Sequence, residues 1–144
     1  MNGQDIWCYQ RVIFGEGDYD NGTFSPYFIE RETHVHKIPD AITSEYATPL
    51  QCASATAYGA IVGIIIKPSY RMRITGIGGL GHLTIQFASK LGASVVVFSH
   101  SGNKEGEART LGADEFCSLD DISKMTTQVD VLVLTANRYP DWSR

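Results

Sequence analysis

Three glycines, Gly76, Gly78 and Gly81, stand in the run Thr75-Gly76-Ile77-Gly78-Gly79-Leu80-Gly81 with the spacing G-x-G-x-x-G. That spacing suits a diphosphate. The first glycine permits a tight turn, the second lets phosphates approach the backbone closely, and the third lets the next helix pack against the strand before it. The start of that helix adds unpaired N–H groups and the positive end of its dipole, both of which favour an anion. Gly76, Ile77, Gly78, Gly79, Leu80 and Gly81 are therefore the candidate phosphate cradle.

A second polar group follows at Ser99, His100, Ser101 and Lys104. In a dinucleotide-binding fold, an acid about 20 residues beyond the glycines holds the ribose hydroxyls of NAD. Here that position is Ser99. A carboxylate about 4 Å from a 2′-phosphate would cost about 4 kcal/mol per unit charge at an effective dielectric near 20. Ser99 and Ser101 instead offer hydrogen bonds and Lys104 a positive charge, which points to NADP over NAD. The plainer alternative is a polar loop, with His100 a surface residue near the adenine.

These groups need a scaffold, and the flanking pattern predicts one. Apolar residues at Leu80, Leu83, Phe87 and Leu91, with Ala88 beside them, recur at spacings of three and four and predict a buried helix face. Gly92 ends that helix. Ser94 to Phe98 is nearly unbroken β-branched sequence, as expected of a parallel strand covered on both faces. Strand, glycine turn, helix and strand make one βαβ unit. A short helix through Ala108 and Leu111, a brief strand near Glu115-Phe116-Cys117 and a buried strand over residues 129–134 follow.

Residues 1–40 read as loops and short strands, with a turn at Asp18-Tyr19-Asp20-Asn21-Gly22 leading into a strand-like run to Ile29. His34-Val35-His36 would put two imidazoles on one strand face. No Cys or carboxylate spacing completes a metal site there, and a solvent-facing pair around an inward Val35 is the reading. Thr43 or Ser44 caps a helix with Glu45 in its first turn. Pro49 predicts a break or two short helices. Residues 46–66 carry no charge, yet Thr48, Pro49, Gln51, Ser54 and Thr56 interrupt them. The apolar run is shorter than the ~20 residues a membrane-crossing helix needs, so a helix buried in a soluble protein is expected.

The 144 residues suffice for a core, and a net charge of −4 without a basic block recommends neither nucleic acid nor an anionic membrane as partner. Cys8, Cys52 and Cys117 are odd in number and far apart, with no signal peptide before them. That pattern argues for a reducing, cytoplasmic setting and against a disulfide framework.

Five segments together resemble the zinc-type medium-chain alcohol dehydrogenases, especially the cinnamyl alcohol dehydrogenase branch. They are Gly22-Thr23-Phe24, Ile38-Pro39-Asp40, the Pro-Leu-x-Cys-Ala-x-x-Thr-x-Tyr run at 49–58, Gly-Ile-Gly-Gly-Leu-Gly-His at 76–82 and Leu-Gly-Ala-Asp at 111–114. The resemblance implies that Cys52 is a ligand of a catalytic zinc and that Thr56 lies near the nicotinamide. It also implies that Gly76 to Gly81 hold the pyrophosphate, that Ser99, His100, Ser101 and Lys104 surround the 2′-phosphate, and that Thr135 is a further cofactor contact. Cys8 resembles the last of four structural-zinc cysteines, while His82 reads as a first-turn helix residue. Zinc there would polarise an alcohol or aldehyde while hydride moves to or from the nicotinamide.

The fold class expected is thus α/β, a partial Rossmann doubly wound parallel sheet preceded by a remnant of a β-rich, GroES-like catalytic domain. Its divisions are 1–45 (catalytic remnant), 46–70 (connecting helical segment) and 71–144 (partial NADP-binding domain). By the resemblance the chain is truncated at both ends, lacks the remaining zinc ligands and is inactive alone. The complete family member would be a homodimer acting on small primary alcohols and aldehydes. Two alternatives stay open: a non-catalytic NADP-binding module, and a zinc-independent enone or quinone reductase of the same superfamily.

Overall fold

The computed structural model describes residues 9–10, 24–64, 67–118 and 128–137. The chain divides into two compact units, Met1–Pro39 and Asp40–Arg144. In the first, the described backbone is irregular apart from a 3-10 turn at Glu32–His34. The strand-like run to Ile29 is no strand over residues 24–29. No ladder partner among the described residues satisfies its backbone, and strand structure needs one. His34 closes the 3-10 turn, with its Nδ1 3.4 Å from Glu30 Oε1, and Val35 is exposed. The two imidazoles therefore do not flank an inward valine. The Arg31 N–H and then His34 hold the Glu30 carboxyl below its ordinary range. Cys8 and the Asp18 to Gly22 turn lie outside the described residues.

The second unit begins with α1 (Ser44–Pro49), whose Glu45 sits in the first turn after Thr43. The break expected at Pro49 is a π-helical turn over Leu50–Ser54, after which α2 runs from Ala55–Val62. Proline has no N–H for the α-helical bond, so the helix cannot pass through unchanged. Only Ala47, Ala57 and Ile61 of these helices are buried. Tyr46, Tyr58, Val62 and Ile64 stay exposed, which corrects the expectation of a helix buried all round. One face of α2 lies on the helix that follows the glycine turn, and its Tyr58 and Val62 remain exposed among the described residues. No helix among the described residues is long and apolar enough to cross a membrane.

The sheet has four parallel strands in the order β3-β2-β1-β4: β1 (Arg71–Thr75), β2 (Ser94–Ser99), β3 (Glu115–Ser118) and β4 (Val131–Leu134). Helix α3 (Gly81–Lys90) packs on β1 and β2, and α4 (Glu105–Leu111) on β3 and α3. The chain winds outward from β1 to β3, then returns to the other side of β1 as β4. That reversal is where α/β sheets open a ligand crevice at the carboxyl ends of their strands.

Met72 and Ile74 of β1, Val95 and Val97 of β2 and Val131 of β4 join Ile85 and Ala88 of α3 in the core. The face of α3 that is buried comprises Gly81, Thr84, Ile85 and Ala88. The sequence pattern had pointed to Leu80, Leu83, Phe87 and Leu91 with Ala88 beside them; Ala88 is buried, whereas Leu80 and Leu91 are exposed. Three of the four buried residues of α3 are small and let the helix axis approach the sheet, while Ile85 fills the core beneath it. Thr84 is tolerated there because its hydroxyl donates to the Leu80 carbonyl at 2.8 Å. Phe87 flanks this face and meets the Tyr58 ring edge-on at 5.5 Å. Gly92, at φ 86°, ends α3 with two backbone bonds, Gly92 N–H to Ser89 O and Ala93 N–H to Ala88 O.

All of β2 from Val95 to Ser99 is buried, as its composition predicts. In β4 only Val131 is fully buried. It is the edge strand among the described residues, and its Leu132 and Leu134 are exposed. The two arginines of β1 are accommodated on the other sheet face. Arg71 reaches Glu115 at 2.7 Å, and the Arg73 guanidinium lies 3.6 Å from the centre of the Phe98 ring. Burial lowers the Arg73 pKa, with Cys117 acting in the opposite direction.

Two aspartates lock strand starts. Asp114 accepts from Val95 N–H at 2.7 Å while its own N–H donates to Val95 O at 2.9 Å, and Asp130 does the same for Arg71 at 2.8 and 2.9 Å. Asp114→Ala should lower stability by about 1–2 kcal/mol, because a charge-assisted bond to a partly buried N–H is lost. Urea unfolding should show a lower midpoint, with Asp114→Asn between the two. An unchanged midpoint would remove this role from Asp114.

Candidate functional site

The glycine turn joins β1 to α3 at the carboxyl edge of the sheet. Gly76 takes φ 93°, which an L side chain rarely adopts. Its N–H donates to Phe98 O at 2.7 Å, tying the turn to the end of β2. A Cβ at Gly76 would press on Ala136, and one at Gly81 would overlap the Gly76 carbonyl oxygen and come 2.7 Å from Thr135 Oγ1. Gly78 and Gly79 differ, since a Cβ on either meets nothing within 4 Å. The first and last glycines thus serve the fold, and the middle pair leaves open room above the helix start. A phosphate of an incoming ligand can occupy that room.

The structure bonds two of the other candidate residues, Lys104 and Thr135, to this turn. Ser99 is the last residue of β2, 6% exposed, and its Oγ accepts from Ser101 N–H at 3.2 Å. Lys104 reaches back from the 3-10 turn before α4 and donates from Nζ to Ile77 O at 2.8 Å. Its ammonium therefore sits at the mouth of the glycine turn. Thr135, just after β4, donates its hydroxyl proton to Thr75 O at 2.8 Å, with Gly76 O at 3.1 Å. That proton is used within the protein, which sequence spacing gave no means of foreseeing. His100 is exposed on the loop after β2. His82 is in the first turn of α3, its Nδ1 3.0 Å from Gly78 O.

Cys52 and Thr56 are both exposed, on the π turn and on α2, two elements that pack on α3. Neither Cys52 nor Cys117 forms a disulfide. No group of three or more His, Cys, Asp or Glu side chains that could hold a metal occurs among the described residues.

No family model matches the chain. Individual proteins do. The chain is 34% identical over 146 residues to a probable formaldehyde dehydrogenase, AdhA, of Bacillus subtilis strain 168, covering 95% of this chain and 42% of that protein. A solved cinnamyl alcohol dehydrogenase of Sorghum bicolor matches with a TM-score of 0.64 and 32% identity, over 69% of this chain and 30% of that one. This chain belongs to the zinc-type medium-chain alcohol dehydrogenases, cinnamyl alcohol dehydrogenase-like branch. Another solved structure of the branch, CAD from Helicobacter pylori in complex with NADP(H), matches with a TM-score of 0.61 and 27% identity over 67% of this chain and 27% of that one. The chain spans less than half the length of these relatives. Within the family, the strand order β3-β2-β1-β4 identifies the sheet as part of its Rossmann domain.

Proposed function

We propose that this chain is the NADP-binding part of a zinc alcohol dehydrogenase that interconverts small primary alcohols and aldehydes. The observation that carries it is the open space over Gly78 and Gly79 with the Lys104 ammonium beside it and Ser99, no carboxylate, at the end of β2. The N–H groups at the start of α3 would hold the pyrophosphate. Ser99, Ser101 and Lys104 would surround the 2′-phosphate, with His100 beside the adenine and Thr56 toward the nicotinamide. The bound NADPH supplies a hydride. Relatives solved with NADP(H) support this choice of cofactor.

Cys52 would be one zinc ligand in the whole protein, its partners supplied by residues other than those described. The complete protein is proposed to be a cytoplasmic homodimer, and the domain divisions at 45 and 70 belong to the same proposal. Titration of NADPH with the 144-residue chain, followed by nicotinamide fluorescence, should give micromolar binding and weaker binding of NADH, without aldehyde-dependent oxidation. Equal affinity for the two would remove the 2′-phosphate assignment. Absence of binding to both would end the reading.

A further inference from the structure

The carbonyl oxygens of the glycine turn are tied back one after another by side chains from three places in the chain. Thr135, after β4, shares its one hydroxyl proton between Thr75 O at 2.8 Å and Gly76 O at 3.1 Å. Lys104, after β2, donates to Ile77 O at 2.8 Å. His82, on α3, lies with Nδ1 3.0 Å and its backbone N–H 3.1 Å from Gly78 O, an arrangement that requires the proton on Nδ1. Thr84 completes the series on Leu80 O at 2.8 Å.

A trans peptide carries its C=O and its N–H on opposite edges, and no cis peptide occurs among the described residues. Fixing the carbonyls of Gly76, Ile77 and Gly78 therefore turns the N–H groups of Ile77, Gly78 and Gly79 the other way. The turn is where rotation would otherwise be easiest, because Gly78 and Gly79 lack a Cβ and the space a Cβ would take is open. A single rotated peptide would present a carbonyl, with its partial negative charge, to the phosphates.

We infer that Thr135, Lys104 and His82 are positioning residues that hold the peptide planes of the glycine turn with N–H outward before a diphosphate arrives. This rests on the dinucleotide reading of the same site and gives Thr135 and Lys104 a task distinct from direct contact with the cofactor. The arrangement lowers the ordering cost of binding, since the donors are already fixed.

Two small probes separate the roles. ADP carries a diphosphate and no 2′-phosphate, and 2′-AMP the reverse. Thr135→Val should weaken ADP about tenfold, the size of one lost hydrogen bond at the strong end of its range. It should leave 2′-AMP unchanged, and Thr135→Ser should restore ADP. Lys104→Gln should weaken both probes, whereas a lysine serving only the 2′-phosphate would leave ADP unchanged. In the free chain, ¹⁵N relaxation should show Ile77, Gly78 and Gly79 rigid in the wild type and loosened in either variant.

Unchanged ADP affinity in both variants, with those three amides as rigid as before, would overturn the inference. If Thr135→Val does not fold, Lys104→Gln decides, its side chain being partly exposed. If the wild type binds neither NADPH nor ADP, the dinucleotide reading fails and the relaxation data alone decide the positioning role.

Discussion

Gly81→Ala should strip this chain of a large part of its stability, while Gly78→Ala, three residues away, should leave it as stable as the wild type. A methyl group at Gly81 would overlap the Gly76 carbonyl oxygen and stand 2.7 Å from Thr135 Oγ1. Neither neighbour can give way cheaply. Gly76 is bonded through its N–H to Phe98 O at 2.7 Å, and Thr135 through N–H and hydroxyl to Thr75 O at 3.1 and 2.8 Å. Relief would require α3 to move off the sheet and open the core around Ile85 and Ala88. Overpacking of this kind costs about 3 kcal/mol or more, against a total of about 5–15 kcal/mol for an ordinary domain.

At Gly78 the added methyl meets nothing, so the fold is untouched. The ligand feels it instead, because the methyl stands where a phosphate must come close, and NADPH affinity should drop at least about tenfold, or 1.4 kcal/mol. Urea unfolding and NADPH titration on the two variants give the crossed result. A Gly81→Ala chain of wild-type stability would refute the close helix–strand approach. Undiminished NADPH affinity in Gly78→Ala would refute the cradle.

Ser99→Asp should reverse the preference between the two nicotinamide cofactors. Ser99 ends β2 with its Oγ accepting the Ser101 N–H at 3.2 Å, and an aspartate carboxylate can accept the same bond. The loop should therefore persist. A carboxylate about 4 Å from the 2′-phosphate costs about 4 kcal/mol per unit charge at an effective dielectric near 20. NADPH affinity should fall by about two orders of magnitude or more, while NADH, offering ribose hydroxyls, should bind no worse than before. The ratio of the two dissociation constants is the readout. A ratio unmoved by the substitution would mean that Ser99 does not face the ribose.

Much of the scaffold for these two experiments was legible in the linear pattern, and the exceptions have common causes. β2 declared itself by its β-branched run, and Gly92 by its place after a helical period. The face of α3 was misread because periodicity rewards large apolar residues, whereas contact with a sheet rewards small ones. Gly81, Thr84 and Ala88 fill the interface, and Leu80 and Leu91 stay outside. The strand-like run at 24–29 and the half-exposed β4 fail for a related reason. A strand's pairing and covering depend on neighbours that its own residues do not specify. Arg71 and Arg73 are accommodated in a strand by Glu115 and Phe98, far away in sequence, across the sheet.

Order along the chain, the tight turn at Gly76 and the absence of an acid at position 99 were all determined by the sequence, because each is a property of one residue or of a short period. The tethering of the turn's carbonyls by Thr135 and Lys104 was not. Those bonds join Thr135 to Thr75 and Lys104 to Ile77, and only the parallel winding of four strands, which returns β4 beside β1, brings their atoms within reach. Local rules choose the backbone of the turn, and the tertiary fold decides which way its peptides face.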